Sequence, residues 1–190
     1  NVLKKNLDPA LTLVADLVLN PAFPEKELER LRQIYLGRIA QETKDPYAAA
    51  FKTFYRELYG ADHPYAQPYT GSGTESSVKA ITRDDLVKYY QANYHPNNAA
   101  MVVVGDITLA DAKARVERVF KGWKPGDVAP SQIPTPPALQ KTKICIVDKP
   151  GAQQSMVIVG NLGIPRSSPD WAACDVLNNA LGNQSFSRLF

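Results

Sequence analysis

The sequence is poor in the residues that turn short chains into specialised scaffolds. It holds two cysteines, two histidines, two methionines and two tryptophans in 190 residues. Cys145 and Cys174 are too few and too far apart for a disulfide framework or a Cys-x-x-Cys metal site. Their apolar neighbours predict small buried hydrophobes, which leaves the redox compartment open. No block of one charge sign occurs, because 22 Lys+Arg and 19 Asp+Glu are interleaved to a net charge of +3. A nucleic-acid partner is therefore not indicated, since such binders gather basic residues on a face or in a run. Long hydrophobic runs are missing too. Leu11–Ala15 and Met101–Val104 fall far short of the roughly 20 apolar residues that cross a bilayer. No charged-then-apolar leader stands at the start of the chain. Apolar residues at 44% and charged residues at 22% exclude a disordered tail, a collagen-like fibre and a coiled coil.

What is present is a series of helix signals. Asp8-Pro9 offers a cap and a proline at the first helical position, with Leu11, Val14, Leu17 and Val18 recurring behind it. Asn20-Pro21 closes that helix. After Phe23-Pro24, the acids Glu25, Glu27 and Glu29 sit where a helix dipole favours them, and Leu28, Leu31, Tyr35 and Ile39 form the apolar stripe. Asp45-Pro46 starts a third helix through Ala50, Phe54, Leu58 and its neighbour Phe51, ending at Gly60. Residues 61–74 read as a turn-rich loop. Thr82 with Asp85 forms a capping box for a helix whose core side is Leu86, Tyr89 and Tyr90. Thr108 caps a further helix carrying Ala112, Val116, Val119 and Phe120.

Three segments read as strands: Ala99 to Val104, Lys143 to Asp148 and Ser155 to Gly160. Between the first and second, five prolines (Pro125, Pro130, Pro134, Pro136, Pro137) in residues 124–140 predict a semi-rigid connector. Ser168-Pro169-Asp170 opens a last helix through Trp171, Val176 and Leu177. The expected fold class is α+β, with residues 1–135 as one unit whose linker begins near 124, and 136–190 as the end of the linker and the start of a second.

The order of the punctuation is more specific than any part of it. Asn20-Pro21-Ala22-Phe23-Pro24, then Glu27-Leu28-Glu29-Arg30, His63-Pro64-Tyr65, Gly71, Lys79 to Leu86, Tyr94-His95-Pro96-Asn97-Asn98 and Val102-Val103-Val104-Gly105-Asp106 together resemble the insulysin/pitrilysin-type zinc metallopeptidases. That family includes the mitochondrial processing peptidases and their bacterial relatives. Leu181-Gly182 with Phe186-Ser187-Arg188-Leu189-Phe190 resembles the glycine-rich segment early in the family's second repeat, although Asn183 stands where a second glycine is usual.

The resemblance implies a clamshell of two α+β repeats, each an antiparallel or mixed sheet packed with helices, closing around a peptide. The chain would hold the later part of the first repeat, the linker and the opening of the second. It would lack the start of the first repeat, where the inverted His-x-x-Glu-His zinc motif resides. His63 and His95, each followed by proline, read as turn residues. The family's remaining zinc ligand is a glutamate on the helix after Phe-Pro, with a second glutamate seven residues before it on the same face. Those positions here are Arg38 and Leu31. A hydrocarbon has no lone pair and a guanidinium is a permanent cation without an acceptor. Glu29 and Glu42 are the neighbouring carboxylates, out of register with the expected positions.

The resemblance therefore implies a homologue with no catalytic residue and no cofactor of its own, zinc belonging to catalytic relatives or a partner. It would act as the peptide-binding or chamber-forming partner of a catalytic subunit. An excised part of an active zinc metalloendopeptidase and a structural assembly subunit remain open beside it. The implied partners are a peptide or unfolded polypeptide, and a homologous peptidase subunit or the rest of its own chain. Bacterial relatives are commonly exported, which implies a periplasmic or exported setting. Gly71-Ser72-Gly73 is no phosphate loop, for no lysine follows at Walker spacing. Ser185 and Ser187 have no histidine nearby in sequence to activate them.

Overall fold

In a computed structural model the chain is described for residues 1–183 and 186–188. Leu189 and Phe190 of the glycine-rich segment, and Ser185, lie outside the described residues. Seven α-helices are present among the described residues: α1 Leu7–Leu19, α2 Glu25–Glu42, α3 Pro46–Tyr59, α4 Glu75–Ala80, α5 Arg83–Asn93, α6 Leu109–Val119 and α7 Trp171–Asn178. Short 3-10 turns cover Lys4–Asn6, Pro64–Ala66 and Pro96–Asn98.

Helix starts follow local chemistry. The Asp45 carboxylate accepts from the Tyr47 N–H with Pro46 in the first turn. Thr82 and Asp85 close a capping box on α5, and the Thr108 hydroxyl accepts from the Asp111 N–H. A second capping box, Thr74 with Ser77, starts α4 directly after the 61–74 loop, where the sequence reading names no helix. Gly60, at φ +86°, ends α3 in a conformation that only glycine adopts without strain. Phe23 reaches φ +43° in the bend between α1 and α2. The bend is held from α5: the Arg83 Nε donates to the Phe23 carbonyl at 2.9 Å, and the Tyr90 hydroxyl donates to the Val18 carbonyl at 2.7 Å. Tyr90 also meets the Phe23 ring edge-on at 5.8 Å.

The α+β expectation is overturned, because no strand occurs among the described residues. The β-branched runs at 99–104, 143–148 and 155–160 form no ladder with any of the described residues. Val104 and Val159 are each 92% exposed and Ile146 is 89% exposed. High β propensity describes a fit to a half-buried pleated surface. A strand exists only through hydrogen bonds to a neighbour, and these runs have no backbone–backbone hydrogen bonds among the described residues. The fold of the described residues is helices plus extended connections.

The buried core is small and divided. Leu11 and Ala15 are buried on α1, which packs on α6, Ala48 and Leu58 on α3 and Ala66 in the turn packed against it, and Val78 on α4, which packs on α2. Several expected core positions are open to solvent: Leu31 and Tyr35 on α2, Tyr89 on α5, Val176 and Leu177 on α7. Cys145 and Cys174 are exposed as well, against the expectation of burial, as are their apolar neighbours Ile144, Ile146, Val176 and Leu177.

Asp8 is not the cap of α1, which starts at Leu7 after Asn6. Its carboxylate instead joins α1 to α6 by accepting from Arg115 and, at 2.6 Å, from Arg118. The Arg115 hydrogen bond holds Asp8 below the usual carboxylate range, with partial burial opposing and Arg118 adding to the shift. A carboxylate with a lowered folded value stabilises fully above its unfolded value and less as pH falls through the folded one. The expected outcome is that Asp8→Asn melts below wild type at neutral pH, and that the gap closes below about pH 4. Melting temperatures of both proteins from neutral to strongly acidic pH check this, and a gap that persists in acid would refute it.

Candidate functional site

The α2 helix carries the positions that the resemblance singles out. Leu31 and Arg38, seven residues apart, lie two turns from each other along one face. Leu31 is 43% exposed. Arg38 is exposed, its guanidinium 5.9 Å from the centroid of the Tyr35 ring. One side chain offers hydrocarbon and the other a stacked cation. Nothing at these positions can donate a lone pair to a metal.

The neighbouring carboxylates are engaged in structural work. Glu29 accepts from Gln33 at 2.6 Å and from Arg32 at 2.9 Å, and those bonds, Gln33 first, hold it below the usual range. Glu42 accepts from the buried Ser72 hydroxyl at 2.6 Å and from Thr70 at 3.2 Å. This pins the 70–73 loop, Gly71-Ser72-Gly73 included, to the end of α2. The residue that sequence reading missed is Arg32. Its guanidinium is mostly buried and donates to the carbonyls of Val78, Lys79 (3.0 Å) and Ile81 (2.8 Å), the open C-terminal end of α4.

Both histidines stand where turn residues belong. His63 is buried. Its Nδ1 accepts from the Tyr65 N–H at 3.0 Å and its Nε2 meets the Pro134 carbonyl at 2.9 Å. This geometry sets the proton on Nε2. The Tyr59 ring stacks on the imidazole at 5.0 Å. The His95 Nε2 meets the Gln91 carbonyl at 2.9 Å. Among the described residues no group of three His, Cys, Asp or Glu side chains is placed to hold a metal ion. The donor set here does not fit zinc.

A second feature is an open groove of about 690 Å³ between α1, α5 and α6, with Val14, Tyr89, Tyr94, Phe120 and Trp123 among its walls and Met101 at its edge. Its size is that of an ordinary ligand pocket. Beside it runs the exposed segment from Ala99 to Val104. None of those backbone N–H groups donates to a backbone carbonyl among the described residues. An apolar groove flanked by unpaired backbone can accept an extended chain: side chains enter the groove while N–H and C=O groups pair alongside. The sequence signal for it was the aromatic spacing Tyr89, Tyr94, Phe120 and Trp123, which local patterning alone does not gather. No helix among the described residues is long and apolar enough to cross a membrane.

Comparison with known proteins agrees with the sequence resemblance. A family profile described as "Peptidase M16 inactive domain" matches residues 80–190. An uncharacterized zinc protease of Mycobacterium leprae is 32% identical over the whole chain, which spans 42% of that protein. A zinc protease of Helicobacter pylori is 27% identical over 97% of the chain and 41% of its own length. The chain thus spans about two-fifths of these curated relatives. A crystal structure of a peptidase M16 inactive domain from Pseudomonas fluorescens superposes with a TM-score of 0.61 at 29% identity, over 70% of this chain and 32% of that one. The order of motifs, the profile match over more than half the chain and the shared fold converge, and the chain belongs to the peptidase M16 inactive-domain family.

Proposed function

We propose that this chain is the non-catalytic, peptide-binding or chamber-forming part of a two-part zinc peptidase, acting beside a catalytic subunit or the rest of its own chain. The observation that carries this reading is the chemistry of α2, where Leu31 and Arg38, the positions that the resemblance aligns with the two glutamates of catalytic relatives, offer no metal donor. The groove between α1, α5 and α6, with its unpaired extended edge, supports the peptide-binding half of the reading.

Metal analysis of the purified full-length protein tests it. The expected result is no stoichiometric zinc in this subunit alone. One zinc per chain would overturn the reading in favour of an active zinc metalloendopeptidase; the names of the relatives say zinc protease. A Leu31→Glu, Arg38→Glu double variant adds a second arm. If zinc binding appears only in the variant, the remaining ligands are complete elsewhere and α2 alone is disarmed.

A further inference from the structure

From the second half of the connector onward, the chain doubles back along α3. The Pro134 carbonyl meets His63. A Cβ built on Gly60 would lie 3.7 Å from the Pro137 ring. The Lys143 ammonium pairs with the Glu57 carboxylate. The Lys149 ammonium donates to the Lys44 carbonyl and, at 3.3 Å, to the Thr43 carbonyl. The strap thus travels from the C-terminal end of α3 to the C-terminal end of α2.

Its attachment has an unusual character. Its apolar side chains do not bury: Leu139, Ile144, Ile146 and Val147 are all exposed. It is held at points by one carbonyl and two cations, and exposed ion pairs of this kind hold weakly. The surface below is built for such points. His63 presents an N–H, Glu57 a carboxylate, and the end of α2 presents carbonyls at the negative pole of its dipole. Tyr55, Tyr59 and His63 form a continuous stack with Tyr65 at its end, the sort of aromatic face on which proline-containing extended peptides dock.

We propose that residues 134–149 are a tethered stand-in for an extended, proline- and lysine-bearing peptide, and that the strap yields its place on α3 to such a peptide supplied in trans. This rests on the peptide-binding reading above and assigns it a second surface and a ligand class. Glu57 holds the Lys143 ammonium above the usual lysine range, so this contact persists across physiological pH.

The test is binding of a fluorescently labelled synthetic peptide spanning residues 131–152 to the full-length protein, followed by anisotropy. In the Lys143→Glu, Lys149→Glu variant the strap is repelled from its own site. Peptide affinity is expected to rise about tenfold over wild type, the size of two surface contacts, and to fall back when Glu57→Gln is added. Equal binding by wild type and variant, or binding indifferent to Glu57, overturns the proposal. A second labelled peptide of equal length, apolar and free of lysine and proline, separates the two readings. If it binds both forms while the strap peptide binds neither, peptide binding stands and the strap assignment falls. If neither peptide binds either form, both fall.

Discussion

Arg32→Ala is expected to lower the stability of the protein by about 2 kcal/mol, the range for losing a part-buried hydrogen bond from a charged group, with smaller losses at the two exposed carbonyls that water can reach. The guanidinium reaches all three carbonyls at the end of α4, Val78, Lys79 and Ile81. Helix α4 has only six residues, too few to persist without tertiary support. It owes its start to the Thr74 capping box and its end to Arg32. Arg32→Lys should recover little, because an ammonium is a point donor that cannot span the fork of three carbonyls. Urea denaturation of the three proteins checks both statements. A loss under about 1 kcal/mol for alanine, or full recovery with lysine, would show that α4 is held by its buried Val78 instead.

The second large effect is at His63. His63→Ala is expected to cost about 2–3 kcal/mol, since it removes two hydrogen bonds from a buried site and leaves the Tyr65 N–H and the Pro134 carbonyl without partners. The stacked Tyr59 ring loses its neighbour as well. His63→Asn should recover part of the loss, because an Asn side chain can accept from the N–H two residues on but is too short to reach Pro134 also. Denaturation midpoints measure the stability. Proteolysis in the 124–140 connector reads the second contact separately: cleavage should accelerate in both variants. Were cleavage unchanged in both, the imidazole would serve only the turn and not the connector.

Much of this architecture was legible in advance because capping is local. Asp45-Pro46, Thr82 with Asp85, and Thr108 each spend a side chain on a backbone N–H two or three residues away, and that distance is written in the sequence. The roles of His63 and His95 as turn residues followed from the prolines behind them in the same way. The family was legible because its motifs occur in a fixed order, and the match of residues 80–190 to the inactive-domain profile agrees.

Long-range partnerships were not legible. Asp8 has the credentials of a cap, yet its carboxylate serves Arg115 and Arg118 more than a hundred residues away. Tyr89 shares the spacing of Tyr90, but Tyr90 is drawn to the Val18 carbonyl while Tyr89 faces the groove. Arg32 looked like one more charge on an amphipathic helix.

By itself the sequence determined where α2, α3, α5, α6 and α7 begin, and that positions 31 and 38 hold a hydrocarbon and a cation. Only the tertiary structure decided that the valine- and isoleucine-rich runs stay unpaired among the described residues, that both cysteines face solvent and that the strap lies on α3. The reason is physical: a cap closes within one turn of chain, whereas pairing, burial and docking depend on which distant surface arrives beside a residue.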